Sequence, residues 1–209
     1  IGTAATCSKS TALQWMCSLD YRLYRRTQVQ ELLTNDFEAR LKFAEKALQS
    51  LDLPQLLWTD KAYFNVSPEV KSLKGSVWST EPVTVRVEKS LHPEKLLGWC
   101  GFTAEFKVKP FFFERTISGD AYRKMLMEHL IPLLKKKRCL NRVIFQQDGA
   151  SPHIERSVKE LLTKTFTDER IVSRHFTFTW PARSPDLNPV DFYFWVISKI
   201  QCIRSQSAP

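Results

Sequence analysis

The stretch "RVIFQQDGASPH", residues 142–153, places a carboxylate directly behind a segment with the composition of a buried strand. Its short apolar run ends in two amides and Asp148, and Gly149 follows at once. A carboxylate in this position is either a turn residue or a metal ligand held at the carboxyl end of a strand. The stretch alone leaves both interpretations open, so the rest of the chain has to decide between them.

The segments around this stretch alternate between strand-like and helix-like patterns. In chain order, they predict a helix at 34–51, a strand at 55–60, a strand–turn–strand unit at 95–114, a helix at 118–134, a strand at 142–147, a helix at 153–166, a strand at 175–180 and a helix at 190–200. A further short helix is expected around 11–20. This order indicates an α/β fold, with a mixed central sheet flanked by helices and a short helical N-terminal segment.

Two of the predicted helices carry more detailed expectations. In the helix at 34–51, apolar residues recur at helical spacing and are expected to face the core: Phe37, Leu41, Ala44 and Leu48. Asn35 is expected to cap this helix, with Glu38 completing a capping box. In the helix at 118–134, Pro132 is expected to end or kink the helix.

Composition narrows the class of protein. With 209 residues, 43% apolar and 25% charged, the chain can bury one sizeable core with a small appendage. No apolar run approaches the roughly 20 residues that a membrane-spanning helix needs, so no membrane partner is expected. The five cysteines form no C-x-x-C pair and therefore signal neither a zinc site nor a disulfide framework.

The charge balance favours a polyanionic partner. The formal charge is +9, which raises the expectation of nucleic acid binding, although many basic proteins bind none. One dense basic run stands after the helix at 118–134, formed by Lys135, Lys136, Lys137 and Arg138. It could contact phosphates, act as a nuclear address, or be a solvated loop.

Three aspartates stand where an α/β sheet builds its sites. Asp60 closes the first apolar strand, Asp148 closes a later one, and Asp191 opens the last helix. Three neighbouring carboxylates repel one another unless a cation compensates them, and oxygen donors suit Mg²⁺ or Mn²⁺. Taken singly, Asp60 and Asp148 could equally be turn residues and Asp191 a helix cap, so spacing alone does not establish a metal site.

Longer strings add a resemblance to a known family. "FQQDGASPH" at 145–153, "WPARSPDLNPVDFYFW" at 180–195 and, upstream, "LLWTDKAYF" at 56–64 resemble the catalytic half of mariner-type (Tc/mariner superfamily) transposases. The intervening segments follow in the family's order, and the resemblance covers about residues 20–200. It implies an RNase H-like fold with a three-carboxylate site that holds two Mg²⁺ or Mn²⁺ ions and cuts and joins DNA.

Carried over by position, Asp60, Asp148 and Asp191 match the family's catalytic, metal-binding triad. Asp186, in "SPDLNP", is the alternative candidate for the third carboxylate. In the family, the resemblance implies, that aspartate belongs to the rigid proline-rich segment before the last helix. The resemblance further implies DNA as partner (transposon ends and target DNA), a possible homodimer on DNA, and nuclear localisation.

Three neighbours of Asp148 have possible supporting roles. Gly149 would let backbone approach a metal or substrate closely. Gln147 offers an amide beside the ligand. His153 could contact a phosphate or the attacking water, or it could cap a helix or orient the carboxylate, and the sequence leaves these alternatives open.

The resemblance also predicts how the chain divides. Residues 1–50 are expected to be a helical linker with the remnant of a DNA-binding region truncated at its N-terminus, and 51–209 the catalytic domain, with an irregular insertion at about 65–93. Two residues depart from the family pattern: Lys61 stands where an acidic residue is common, and Val196 where glycine is common. A cation beside the first ligand could take the metal's place, so the alternative function is a decayed or domesticated derivative that binds nucleic acid without catalysis.

Overall fold

A computed structural model describes residues 8–21, 30–65, 95–114, 117–199 and 201. The chain forms two compact units, Ile1–Glu31 and Leu32–Pro209. In the first unit, helix α1 spans Lys9–Ser18, and the Ser8 hydroxyl caps it by accepting a hydrogen bond from the amide of Thr11. The second unit therefore begins earlier than the predicted boundary at residue 51. The predicted insertion at 65–93 lies, apart from residue 65, outside the described residues.

The second unit is built on a five-stranded mixed sheet in the order β3-β2-β1-β4-β5. Its strands are β1 (Leu56–Asn65), β2 (Lys95–Phe102), β3 (Lys107–Phe113), β4 (Ile144–Gln146) and β5 (Ile171–Val172). Strands β1, β2 and β3 pair antiparallel, whereas β4 runs parallel to both β1 and β5. The predicted mixed sheet is thus confirmed.

Helices cover both faces of the sheet. They are α2 (Thr34–Ser50), α3 (Gly119–Met125), a π-helical segment (Leu126–Leu130), α4 (Ile131–Lys136), α5 (Arg156–Phe166) and a final helix whose first part, Val190–Trp195, is π-helical. Buried side chains of α3, α4 and α5 pack on one face, and α2 and the final helix pack on the other. Among the helices in the described residues, none combines the length and apolar character needed to cross a membrane.

The alternation of side chains along β1 determines which face receives the candidate ligand. Leu57 joins the core under α3–α5, whereas Leu56 joins the core under α2 and Ala62 the core under the final helix. Because side chains two apart share a face, Asp60 lies on the face covered by the final helix. This parity brings the strand carboxylate and the helix carboxylate to the same side of the sheet.

The predicted inward face of α2 is wrong by one residue. Phe37, Leu41 and Leu48 are exposed, and the helix instead buries Asp36, Phe43 and Ala47. The inward face includes an acidic residue because Asp36 is held by two short contacts with Arg183. A pattern built from apolar residues alone therefore selects the wrong side.

The residue that caps α2 also differs from the prediction, and Asp36 is again the cause. Helix α2 begins at Thr34, and the carboxylate of Asp36 accepts a hydrogen bond from the amide of Leu33 at 2.7 Å. Asn35 is thus inside the helix rather than its cap.

Two further predictions need correction. The helix containing Pro132 does not end there but runs on to Lys136. The segment directly before Pro132 is π-helical, so the backbone hydrogen bonds are already rearranged at the position where proline has no N–H to donate. Residues 175–180 alternate between buried and exposed as predicted, yet they form only one isolated bridge, Val172↔Phe178. The strand at this edge is β5, too short at two residues to show a periodic pattern.

We expect the two faces of α2 to respond differently to truncation. Phe43→Ala should lower the free energy of unfolding by about 3 kcal/mol, because it opens a cavity beside the sheet. Phe37→Ala, on the exposed face, should change it by no more than about 0.5 kcal/mol. Urea unfolding of both variants tests this, and a larger loss from Phe37→Ala would contradict the assigned face.

Candidate active site

Asp60 lies inside β1, not at its end as the sequence suggested. The parallel pairing of β1 with β4 stops at Leu57↔Phe145, but β1 continues to Asn65 because its other edge still pairs with β2. Asp60 therefore stands just beyond the point where β4 ends, and its side chain is only 5% exposed. This is the position at which parallel sheets build sites.

A buried hydrogen-bond network fixes the backbone beside Asp60. The Thr59 amide donates to Oε1 of Gln146 at 3.0 Å, and the Thr59 hydroxyl donates to the Gln146 carbonyl at 2.6 Å. The side-chain amide of Asn188 donates to the Thr59 carbonyl at 3.1 Å, and its Oδ1 accepts from the amide of Val190. The network ties β1, β4 and the start of the final helix together around Asp60.

Asp191 enters the site from the first turn of the final helix. Its amide donates to the Asn188 carbonyl at 2.9 Å, so the network above also sets its backbone. Burial and the nearby charge of Asp191 raise the pKa of Asp60 to about 8, and burial also raises the pKa of Asp191. The contact between the two carboxyl groups raises the pKa of Asp60 further and opposes the rise in the pKa of Asp191.

Trp195 completes the surroundings of Asp60. Its indole N–H donates to Asp60 Oδ2 at 2.8 Å, and the ring is only 4% exposed and packs edge-on against Phe64. Trp195 lies four residues after Asp191, one helical turn along the same helix. One helical turn thus supplies both a carboxylate and a neutral donor to the strand aspartate. No motif or spacing in the sequence singles out this tryptophan as a hydrogen-bond donor.

Asp148 follows β4 and is held through one oxygen. Its Oδ1 lies 3.1 Å from the amide nitrogen of Ala150, 2.5 Å from His153 Nδ1 and 3.8 Å from Lys61 Nζ. Burial opposes ionisation, but the hydrogen bond with His153 and the charges of His153 and Lys61 outweigh it and hold the pKa of Asp148 well below its usual range. Asp148 is therefore ionised, unlike Asp60.

His153 is placed to orient Asp148 rather than to reach a substrate. Its side chain is 1% exposed, and its ring lies 4.3 Å from that of Tyr122. Gln147 braces this arrangement: Oε1 accepts from the Tyr122 hydroxyl at 2.9 Å, and Nε2 donates to the His153 carbonyl and to the Ser173 hydroxyl. The amide of Gln147 is thus fully used inside the protein.

Gly149 makes room for a side chain of the protein itself. A Cβ at this position would lie 2.9 Å from Cδ of Arg174, so the glycine lets the stem of Arg174 pack beside Asp148. Arg174 is exposed at the edge of the site. No periodic or motif signal marks it in the sequence, because it lies on an irregular loop after β5.

Two predicted elements lie away from the carboxylates. Asp186 is 61% exposed, and its carboxylate binds the Arg40 guanidinium through two contacts of 2.8 and 2.5 Å. This aspartate fastens the proline-rich loop to α2, which leaves Asp191 as the third carboxylate. The exposed run begins in the last turn of α4 and precedes β4, so it lies toward the opposite end of β4 from Asp148; its members are Lys135, Lys136, Lys137 and Arg138.

The donor chemistry fits a divalent cation in part. Asp60 and Asp191 offer neighbouring carboxyl oxygens whose mutual repulsion a cation could compensate. Asp148 is already compensated by Lys61 and His153. In the described part of the chain, no three His, Cys, Asp or Glu side chains stand close enough together to enclose one ion.

One curated protein is similar to this chain in sequence. The transposable element Tc3 transposase of Caenorhabditis elegans is 24% identical over 173 residues, which cover 81% of this chain and 49% of the relative. The chain therefore spans about half the length of the curated relative it matches. No protein family model matches it.

Solved structures share the fold. The Mos1 transposase paired-end complex with left transposon end has a TM-score of 0.67 at 21% identity, over 93% of this chain and 57% of that chain. The catalytic domain of Mos1 mariner transposase has a TM-score of 0.59 at 18% identity, over 85% and 76%. Mos1 paired-end complexes have also been solved with Mn and with Mg.

The mixed sheet, its flanking helices and the aspartates beyond the end of β4 define an RNase H-like domain, as predicted. Within that class, the chain is similar in sequence to the Tc3 transposase and shares its fold with the Mos1 mariner transposase.

We expect the indole N–H of Trp195 to stabilise the fold through Asp60. Trp195→Phe should lower the free energy of unfolding by about 1–3 kcal/mol more than Trp180→Phe, because only the former leaves a buried carboxyl oxygen without its donor. Trp180 is a matched control, since it is also buried and packs edge-on against Phe43. Equal losses in urea unfolding would show that the hydrogen bond contributes nothing.

Proposed function

We propose that this domain performs divalent-metal-dependent DNA strand cleavage and strand transfer. The observation that carries the proposal is that Asp60 and Asp191 pair beyond the carboxyl end of β4, near enough to Asp148 for its charge to act on both, in a fold shared with the Mos1 catalytic domain. The relationship to Tc3 transposase supports the same reaction class.

In this proposal, Asp60, Asp148 and Asp191 are the carboxylates that would hold the divalent cation. Bound Mg²⁺ or Mn²⁺, two ions in the full site, would activate the attacking oxygen and stabilise the leaving one. The protein's own part is positional: the network of Thr59 and Asn188 fixes two of the carboxylates before any substrate arrives. Such pre-organisation is what phosphoryl transfer requires of a protein.

DNA is the proposed partner. The Mos1 complex contains a transposon end, and this chain carries a formal charge of +9. Arg174 beside Gly149 and Lys199 on the final helix place positive charge near the carboxylates. We further propose that the protein acts in the nucleus and as a homodimer on DNA, both of which follow from the family resemblance.

A second candidate function is DNA binding without catalysis. The specific observation in its favour is the ion pair between Lys61 and Asp148, which places a protein cation among the carboxylates. The two functions share the fold and the DNA partner, and they differ only in whether a divalent ion binds productively.

Substitutions at the two candidates for the third carboxylate, Asp191 and Asp186, test the catalytic proposal. In a supercoiled-plasmid nicking assay with Mn²⁺, Asp191→Asn should reduce cutting about 100-fold or more, because a ligand of the reacting centre is lost. Asp186→Asn should cut within about threefold of the unchanged chain, because Arg40 still bonds the Arg183 carbonyl and the Ser184 hydroxyl, and the loop therefore stays attached to α2.

Asp148→Asn is the companion variant and should behave as Asp191→Asn does. Equal nicking by all chains, or none by the unchanged chain, would reject catalysis. Retained DNA binding together with no nicking would then favour the second candidate function.

Arg174 should contact a DNA phosphate. Arg174→Gln should weaken binding and reduce the slope of log K against log salt by about 0.9 in magnitude, the value for one lost phosphate contact. Arg156→Gln is the control, since Arg156 is exposed and paired with Glu160 on α5. Fluorescence anisotropy with a short duplex at several salt concentrations measures both, and identical slopes for the two variants would exclude Arg174 as a contact.

A further inference from the structure

We propose that the ammonium group of Lys61 is a built-in counter-ion of the carboxylate site, which lowers its affinity for divalent cations and has to be overcome when one binds. This inference rests on the proposed function insofar as it takes Asp60, Asp148 and Asp191 as the cation ligands. It adds that a residue outside the triad sets how strongly those ligands bind a metal.

The position of Lys61 is fixed by the sheet. Its backbone lies in β1 opposite Trp99 on β2, and the Trp99 side chain is fully buried. The Lys61 side chain is only 16% exposed, and its Nζ lies 3.8 Å from Asp148 Oδ1. A lysine this enclosed cannot move its charge far from the site without leaving its packing.

The charge of Lys61 acts on two carboxylates. It lowers the pKa of Asp148 and also opposes the burial that raises the pKa of Asp191. Lys61 thus does electrostatically part of what a divalent cation would do.

A divalent cation would meet both competition and repulsion. Oδ1 of Asp148 is already engaged by Ala150, His153 and Lys61, so a cation must either use the other carboxylate oxygen or displace the ammonium group. Like charges a few ångströms apart in a partly buried site repel strongly, and salt screens them little. Removing the Lys61 charge should therefore strengthen cation binding.

Isothermal titration of the whole chain with MnCl₂, without DNA, tests the inference. Lys61→Gln should bind Mn²⁺ about tenfold or more tightly than the unchanged chain, and Lys61→Met, which keeps the length of the stem, should do the same. Lys61→Arg keeps the charge and should bind as the unchanged chain does. Lys42→Gln is the matched control, because it removes a lysine from an ion pair with Glu38 on the exposed face of α2.

The gain in Mn²⁺ affinity must also depend on the proposed ligands. Adding Asp148→Asn to Lys61→Gln should abolish it, and thermal melting without metal checks that each variant is folded. Equal Mn²⁺ affinity in the unchanged chain and both uncharged variants would overturn the inference. So would a gain that survives Asp148→Asn, or an absence of Mn²⁺ binding by every folded variant.

The outcome is separable from that of the proposed function. Tighter Mn²⁺ binding by Lys61→Gln without any DNA nicking would support the counter-ion and reject catalysis. Nicking by the unchanged chain with an unaltered Mn²⁺ affinity in Lys61→Gln would support catalysis and reject the counter-ion.

Discussion

The burial of two carboxyl groups against each other is the constraint on which the rest of the site depends. Asp60 is 5% exposed, and burial together with the nearby charge of Asp191 raises its pKa to about 8, so a second negative charge in this enclosed space is disfavoured. Nothing in the packing of the core requires a carboxyl group at this position of β1. The arrangement is costly to the fold, and such costs concentrate where a protein binds or reacts.

Much of the second unit serves to hold that pair in place. Asn188 joins the final helix to β1 through Thr59, and two ion pairs, Arg40 with Asp186 and Arg183 with Asp36, fasten the loop before that helix to α2. The loop carrying Asn188 is therefore fixed at both ends. The position of Asp191 is consequently set by contacts that no single motif describes.

The sequence predicted the elements better than their contacts. The chain order of β1 to β4 and of the helices followed from local patterns, because short apolar runs and helical spacing are properties of neighbouring residues. The choice of the three aspartates rested on the family resemblance. The inward face of α2 did not, since Asp36 is buried by a partner 147 residues away. Trp195 and Arg174 were missed for the same reason: each acts through a side chain that only the fold brings near.

Lys61 shows that three carboxylates alone do not describe a site. Side chains alternate along a strand, so Lys61 points away from the face of Asp60 and can reach Asp148 only because β4 ends at Gln146. The same strand ending that opens a space for a cation therefore admits an ammonium group from β1. Whether the carboxylates serve a metal thus depends on the residue next to the first of them, and a change at that residue alters the chemistry while leaving all three ligands and the fold in place.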